Sequence, residues 1–295
     1  MNKVLKSWIY LIIAIIFFAT IEVATKPYTG VFDPLQLTFL RFFFGGLFLL
    51  LYITLTRKKY TLSLRSILLM GIIGSFNSII SMSLLQLAVK FSNASTAALL
   101  ISSNPVFVVI LALFILNEKI NRNKILSMAF GITGLLIISF SSSAGDSISG
   151  LIFGILASLT FALYTVLVKK FIKNIPSEVF ITYSFLISSV FFYIILKIAK
   201  IPVFAFDYGR PGIIPTLIYL SVFVTGIAYI FYFKAFEALD ASKASFSFLL
   251  KPIIAMIFAY YFLGEVPAMQ KIIGTMFIII SIAFIAFSKN KKSLS

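Results

Sequence analysis

The sequence predicts an all-α integral membrane protein with ten transmembrane helices. Of the 295 residues, 61% are hydrophobic and only 12% are charged, whereas a soluble domain carries about 25% charged residues. Long uncharged runs recur along the whole chain, and a helix needs about 20 apolar residues to cross the hydrocarbon of a bilayer. These runs are continuous rather than alternating with a period of two, which argues against a membrane barrel.

The first predicted helix, at about 8–28, carries Glu22 in its second half. It follows Lys3 and Lys6, and this basic start is also typical of a signal peptide. No A-x-A cleavage site follows it, however, and further spans do. We therefore interpret this segment as an uncleaved first helix.

The second predicted helix, at about 34–56, begins at a proline and contains Arg41. The ninth, at about 243–263, contains Lys251, and the tenth covers 272–288. Each of the six helices between the second and the ninth is an uncharged run long enough to span the bilayer: 66–89, 91–117, 125–145, 147–168, 179–196 and 211–233.

The basic residues predict the orientation of the chain. If the N-terminus is cytoplasmic, most lysines and arginines fall on cytoplasmic segments, for example Lys3, Lys6 and 57–59. The positive-inside rule therefore predicts a multi-pass plasma-membrane protein with both termini in the cytoplasm. Topology alone accounts for the net charge of +16, so we predict no nucleic-acid partner.

Two residue types are missing from the sequence, and this limits its chemistry. The chain has no cysteine and no histidine. Disulfides, thiolate catalysis and histidine-based catalysis are therefore excluded. We predict no metal, no cofactor and no enzymatic activity.

An internal repeat is visible at an offset of 147 residues. Residues 85–141 align without a gap with residues 232–288. Apolar helices match easily by chance, but charged residues and prolines are scarce in this chain. A proline and a charged residue nevertheless pair in the alignment, Pro105 with Pro252 and Glu118 with Glu265. Ala94 and Ser95 also align with Ala241 and Ser242.

The alignment predicts two five-helix repeats, 1–145 and 146–295, divided within the polar segment 141–149. Because five is an odd number, the second repeat enters the membrane from the opposite side, and the two repeats are inverted. In secondary transporters this symmetry places the substrate site near the bilayer midplane, between the repeats. Alternating access then arises when one repeat rocks against the other around a central cavity.

Three segments carry a resemblance to a known family: "PLQLTFLRFFFGGLFLL" (34–50), "SNPVFVVILALFILNEKI" (103–120) and "LKPIIAMIFAYYFLGEVP" (250–267). Over essentially its whole length the chain resembles the EamA-type members of the drug/metabolite transporter superfamily. The resemblance implies ten helices in two inverted repeats and transport of amino acids, other small metabolites or drugs, with export favoured. One departure is Lys251, where such proteins often have an acidic or neutral polar residue.

Lys251 is the strongest candidate for contact with a substrate. It lies about eleven residues into its helix, or roughly 15 Å along the axis, and a charge at the bilayer centre costs roughly 2.5–3.5 kcal/mol. The alternative is a buried ion pair without a role in transport. Pro252 is expected to free the carbonyl of Phe248 and open the helix beside the lysine, and Pro105 is expected to break the fourth helix in the same way.

Glu22 and Arg41 have opposite charges at similar depth on antiparallel neighbouring helices. Lys26, one helical turn beyond Glu22, is a third candidate for the same cluster. A salt bridge between Glu22 and Arg41 would make both charges compatible with the membrane. Alternatively, Glu22 couples transport to protons, since it is the only acidic residue well inside a predicted span.

Further polar side chains are expected to line the cavity, although each one alone could equally form an interhelical hydrogen bond. The aromatic runs 231–233 and 259–262 are expected to form interfacial belts. Glu118 and Glu265 are expected to stabilise the N-termini of the helices that follow them, the fifth and the tenth. The candidate cavity residues are Asn77, Gln86, Ser103, Asn104, Tyr164 and Tyr229.

The sequence therefore predicts a secondary active transporter, a permease or exporter, for a small polar metabolite that is amino-acid-like or bears a carboxylate. Its predicted partners are this small molecule, the lipid bilayer and protons, and it is expected to be a monomer or homodimer. A facilitative channel or a lipid-scramblase-like protein without gradient coupling remains the alternative. An intramembrane enzyme is disfavoured because no G-x-S-x-G motif and no loop long enough for a catalytic domain are present.

Overall fold

A computed structural model describes residues 3–56, 62–139, 146–172, 175–266 and 269–286. Within these ranges the chain folds into ten helices joined by short connections. Their bounds are α1 Lys3–Tyr28, α2 Pro34–Leu55, α3 Leu64–Phe91, α4 Ala94–Ile115, α5 Arg122–Ser139, α6 Ile148–Phe171, α7 Ser177–Ile198, α8 Ile213–Ala235, α9 Ala241–Leu263 and α10 Met269–Ala286.

Eight of the described helices are long and apolar enough to cross a membrane, and large hydrophobic side chains cover much of their outer surface. The other two, α5 and α10, have 18 residues each and pack against each other. The protein is therefore an all-helical, multi-pass membrane protein, whereas ten complete spans remain a prediction. The basic residues 57–59 and residues 141–145 of the predicted boundary lie outside the described residues.

The helix packing has an approximate twofold pattern. α1 packs against α8, and its counterpart α6 packs against α3. α2 packs against α7 and α8, while α7 packs against α2 and α3. α4 and α9 cross one another in antiparallel directions, so that each end of one lies beside the opposite end of the other.

Five helices lose their regular geometry part-way along their length. α1 is interrupted at Ala19 and Thr20, and α4 at Ser102 and Ser103. α9 narrows to a 3₁₀ helix over Phe246–Leu250. α3 and α8 widen to π-helices over similar parts of their length, at Phe76–Ser81 and Leu220–Ile227. Such deviations free backbone groups and favour functional sites. Here α3 matches α8 and α4 matches α9 in the two predicted repeats, whereas α6, the counterpart of α1, is continuous.

Small residues allow the central helices to approach closely. A Cβ added at Gly154 of α6 would lie 2.6 Å from Leu100 Cδ1 on α4, and one added at Gly74 of α3 would lie 2.4 Å from the carbonyl oxygen of Ser184 on α7. Tight packing of this kind stabilises helix pairs in lipid, where the hydrophobic effect does not drive them together.

Candidate functional site

Glu22 and Lys251 form a buried ion pair between α1 and α9. Lys251 Nζ donates to Glu22 Oε1 over 2.5 Å, and the side chains are 1% and 0% exposed. Each residue lies next to a helix irregularity: Glu22 follows the interruption at Ala19–Thr20, and Lys251 follows the 3₁₀ segment of α9. The sequence suggested Arg41 or Lys26 beside Glu22 and an ion pair of unspecified partner for Lys251, and the structure joins Glu22 to Lys251.

The backbone beside Lys251 differs from the sequence expectation. Pro252 has no N–H group, so the carbonyl of Phe248 cannot accept the usual helical bond from it. This carbonyl was expected to be free, but it accepts the backbone N–H of Lys251 instead. This i to i+3 hydrogen bond tightens the turn into a 3₁₀ helix and satisfies the carbonyl. The groups of this site that are available to bind a substrate are therefore side chains rather than the backbone.

Arg41 on α2 is buried without a hydrogen-bond partner among the described residues. Its side chain is 1% exposed, and Nε and both terminal nitrogens make no hydrogen bond. The guanidinium carbon lies 5.0 Å from the centroid of the Phe42 ring. The expected salt bridge between Glu22 and Arg41 is therefore wrong for this structure. Because an unpaired buried charge is strongly unfavourable, Arg41 is a candidate to bind an anion.

Lys26 lies outside this cluster. Its Nζ donates to the carbonyl oxygens of Val89, over 2.9 Å, and Ser92, over 2.6 Å, at the end of α3. A cation at this position satisfies carbonyls that have no partner within the helix and interacts favourably with the helix dipole. Lys26 is thus a capping residue and not a partner of Glu22.

Among the other predicted cavity residues, Tyr229 lines a small cavity together with Lys251. Asn77 in the π-helical part of α3 donates to the hydroxyl of Tyr229 on α8 over 3.0 Å. Gln86 Nε2, Tyr164 Oη and the second carboxylate oxygen of Glu22 are buried and have no hydrogen-bond partner among the described residues. The structure thus contains a cluster of polar groups inside the bundle with unused hydrogen-bonding capacity.

Ser103 and Asn104 instead connect α4 to α6. Ser103 Oγ donates to Ser158 Oγ over 2.9 Å, and Asn104 Nδ2 donates to the carbonyl oxygen of Ser158 over 3.4 Å. Ser158 Oγ also lies 3.4 Å from the carbonyl oxygen of Ile101, which lacks its helical donor because of Pro105. For these two residues the structure shows the interhelical role that the sequence left open as the alternative.

The central cavity beside Lys251 is small. Its volume of about 10 Å³ is lined by Lys251, Tyr229 and seven apolar side chains from α1, α3, α4, α6 and α9. This space holds about one water molecule. The site is therefore closed in this structure, and a molecule larger than water can enter only if helices move.

A larger cavity, of about 820 Å³, opens at the end of the bundle that contains Lys3, Lys6 and Lys234. Buried aromatic rings separate it from the central cavity: Tyr232 lies 5.8 Å from Phe18 and 4.8 Å from Phe236, measured between ring centroids. Tyr232 and its neighbour Phe233 are 0% exposed. The interfacial belt expected at these two residues is therefore wrong, and they form an internal aromatic layer.

Glu118 and Glu265 also differ from expectation, because each binds a helix of the other predicted repeat. Glu118 Oε1 accepts the backbone N–H of Ala241 over 2.8 Å at the start of α9. Glu265 Oε1 accepts the backbone N–H of Ala94 over 3.2 Å at the start of α4. The sequence carried a signal for this exchange, since these residues are matched pairs at the 147-residue offset.

Comparison with known proteins agrees with this architecture. A family model described as the EamA-like transporter family matches the chain twice, over residues 5–140 and 148–287. A crystal structure with 17% sequence identity superposes with a TM-score of 0.74 and covers 94% of this chain and 95% of its own. At this identity the superposition shows the fold alone.

Curated relatives carry transporter names. A protein of Clostridium kluyveri named an uncharacterized transporter is 33% identical, covering 98% of this chain and 95% of its own. A protein of Rickettsia conorii named an S-adenosylmethionine uptake transporter is 24% identical, covering 99% of this chain and 97% of its own.

Proposed function

Because the chain belongs to the EamA-like transporter family, we propose that it is a secondary active transporter of a small, amino-acid-like metabolite, working by alternating access. The buried Glu22–Lys251 pair carries this proposal, together with the unpartnered Arg41. Ionisable residues within a membrane are costly and mark substrate or ion pathways by default. No G-x-x-x-x-G-K-[ST] motif is present, and a gradient rather than ATP would supply the energy.

The charges of the cluster favour a zwitterion. Arg41 offers a planar set of donors that matches a carboxylate in bidentate geometry. Glu22 Oε2 has no hydrogen-bond partner among the described residues and could accept from a substrate ammonium group. One relative is named an S-adenosylmethionine uptake transporter, and that compound carries an α-amino acid group. A substrate with a carboxylate and an ammonium group a few ångströms apart would satisfy both residues.

The size of the central cavity favours a carrier over an open channel. Space for about one water molecule beside Lys251 cannot conduct a metabolite, and the aromatic layer around Tyr232 separates this space from the 820 Å³ cavity. Substrate movement therefore requires a rearrangement of helices, as in alternating access.

Glu22 is the candidate coupling residue. Proton binding to its carboxylate would remove the negative charge that Lys251 needs, and would separate the two side chains. Proton arrival could in this way change which groups are available to the substrate. Exchange of one metabolite for another, without protons, remains the second mode that this site allows.

We place the protein in the plasma membrane with both termini in the cytoplasm, on the distribution of basic residues. The 820 Å³ cavity, lined by Lys3 and Lys6, would then open to the cytoplasm. One chain contains the whole cluster of charges among its described residues, which supports a monomer as the transporting unit, with a homodimer as the alternative.

Counterflow in proteoliposomes tests the proposed function. The vesicles are loaded with a high concentration of one unlabelled amino acid, and entry of the same radiolabelled amino acid is measured; S-adenosylmethionine and a dicarboxylate complete the panel. A carrier gives saturable entry that internal substrate accelerates. Non-saturable entry without this acceleration would support the channel, and movement of labelled phospholipid between leaflets would support the scramblase.

A further inference from the structure

Two pairs of side chains hold the hairpins at opposite ends of the bundle. We call the turn from α3 to α4 the first hairpin and the turn from α8 to α9 the second hairpin. Glu265 binds the first hairpin, where α4 begins, and Glu118, which follows the end of α4, binds the second. The two hairpins therefore lie on opposite sides of the membrane.

The carboxylates bind the two hairpins in equivalent ways. Glu265 accepts the backbone N–H of Ser95 over 3.3 Å and its hydroxyl over 2.7 Å. Glu118 accepts the backbone N–H of Ser242 over 3.3 Å and its hydroxyl over 2.5 Å. Each carboxylate thus satisfies the free donors of a helix N-terminus and interacts favourably with its dipole.

Lysines bind the other side of each hairpin. Lys26 donates to the carbonyl oxygens of Val89 and Ser92. Lys169 on α6 donates to the carbonyl oxygens of Phe236 and Leu239. These two pairs of carbonyls correspond to each other at the same 147-residue offset. Both ends of the bundle therefore share one arrangement, a lysine on the carbonyls and a glutamate on the N–H groups.

At each hairpin, the lysine and the glutamate that bind it come from different predicted repeats. Lys26 and the first hairpin both belong to residues 1–145, and Lys169 and the second hairpin both belong to residues 146–295. Glu265 and Glu118, in contrast, each bind the hairpin of the other repeat. If one repeat rocks against the other, the lysine contacts can persist, whereas the glutamate contact at the opening end must break.

We propose that Glu265 and Glu118 are two latches between the repeats, one at each end of the bundle, and that releasing one latch admits solvent to the central site from that end. Both latches are closed in this structure, and the cavity at Lys251 accordingly has room for about one water molecule. This proposal rests on the alternating access inferred above. It assigns Glu265 and Glu118 as positioning residues rather than substrate contacts.

Labelling of a single introduced thiol tests the latches. The chain contains no cysteine, so Ile101→Cys places one thiol in the wall of the central cavity. A membrane-impermeant methanethiosulfonate reagent is applied to right-side-out and inside-out vesicles. E265Q should accelerate labelling from the side of the first hairpin, and E118Q from the side of the second, each by about tenfold, the effect of losing one hydrogen bond to a charged group.

The lysines provide matched controls at the same hairpins. K26M and K169M should lower the unfolding temperature without changing the side from which the introduced thiol is labelled. Asp146 also binds the first hairpin, through the N–H of Asn93 and the hydroxyl of Thr96, so E265Q/D146N serves as a second variant if E265Q alone has a small effect.

Any of three results would overturn the latch proposal. Both glutamate variants could accelerate labelling from the same side, all glutamate variants could leave the labelling rate unchanged, or the lysine variants could change the labelling rate as much as the glutamate variants do. The labelling experiment requires no substrate. Counterflow by the unmodified chain is measured in parallel, so that normal counterflow with unaltered labelling rejects only the latches, and absent counterflow rejects the proposed function.

Discussion

Lys251 Nζ lies 2.5 Å from Glu22 Oε1, in a pair that shares almost no surface with solvent and connects two helices 229 positions apart in the chain. Burial removes both groups from water, and only their mutual attraction offsets this loss. The pair also leaves one oxygen of Glu22 without a hydrogen-bond partner among the described residues. The buried charges of this pair and the unused oxygen of Glu22 make it the candidate centre of the transport site.

The first prediction concerns the stability of the pair. K251M should destabilise the protein by about 3–5 kcal/mol, because it leaves the Glu22 carboxylate buried and unpaired. K251M/E22Q should recover most of this loss, since neither charge remains. Thermal unfolding in detergent measures both effects, with K90M, at an exposed lysine, as the control. Equal destabilisation of the single and the double variant would show that Lys251 stabilises the protein by some interaction other than its ion pair with Glu22.

The second prediction concerns proton coupling. E22Q removes the only carboxylate of the pair while it preserves the shape of the side chain. We expect any transport that E22Q retains to have lost its dependence on an imposed pH gradient. Uptake into proteoliposomes with and without a gradient measures this, with E237Q in the 820 Å³ cavity as the control. A gradient dependence that survives in E22Q would assign coupling to another group.

The third prediction concerns Arg41. R41M should not lower the unfolding temperature, because the guanidinium makes no hydrogen bond in the described structure and burial of an unpaired charge is unfavourable. Its KM for a carboxylate-bearing substrate should rise about 10- to 100-fold, the effect of losing hydrogen bonds to a charged group, while the KM for the corresponding ester should change little.

R41K is the matched variant for Arg41, because it keeps the charge but loses the bidentate geometry. Its KM should lie between those of the unmodified chain and R41M. If R41M unfolds at a clearly lower temperature and keeps an unchanged KM, then Arg41 has a structural role and does not bind the substrate.

The fourth prediction tests the helix packing. G154A should destabilise the protein by about 1–3 kcal/mol, the usual effect of overpacking, because the added Cβ would lie 2.6 Å from Leu100 Cδ1 and 2.7 Å from its Cβ. G154A/L100A should restore part of the stability. G30A is the control, since a Cβ there meets no atom within 4 Å. Thermal unfolding of G154A at the same temperature as the unmodified chain would contradict the close contact of α4 and α6.

Much of this fold follows from the sequence, because apolar length and scarce charges are directly visible in it. The second helix was expected at about 34–56 and runs over Pro34–Leu55, and the ninth was expected at about 243–263 and runs over Ala241–Leu263. Pro105 and Pro252 correctly marked α4 and α9, two of the five described helices that lose regular geometry. Depth in the membrane, counted from helix ends, brought Glu22 and Arg41 to similar levels and placed Lys251 well inside its helix.

The pairing of these residues could not be predicted in the same way. Depth alone does not fix how a helix is rotated, and Arg41 at the right depth forms no bond with Glu22. Tyr232 shows the same limit, since its position near a helix end suggested an interfacial belt, whereas it is buried against rings that include Phe18 of α1, Phe161 of α6 and Phe248 of α9. Contacts between distant segments, such as Glu118 with Ser242, depend on packing of the whole bundle.

Counterflow by the K251M/E22Q variant tests the central claim most directly. This variant removes both charges of the buried pair, and thermal unfolding establishes that it is folded. We predict saturable counterflow of an amino-acid-like substrate by the unmodified chain and its loss in the double variant at an unfolding temperature close to that of the unmodified chain. Counterflow of the double variant at the unmodified rate would contradict the assignment of Glu22 and Lys251 to the transport site.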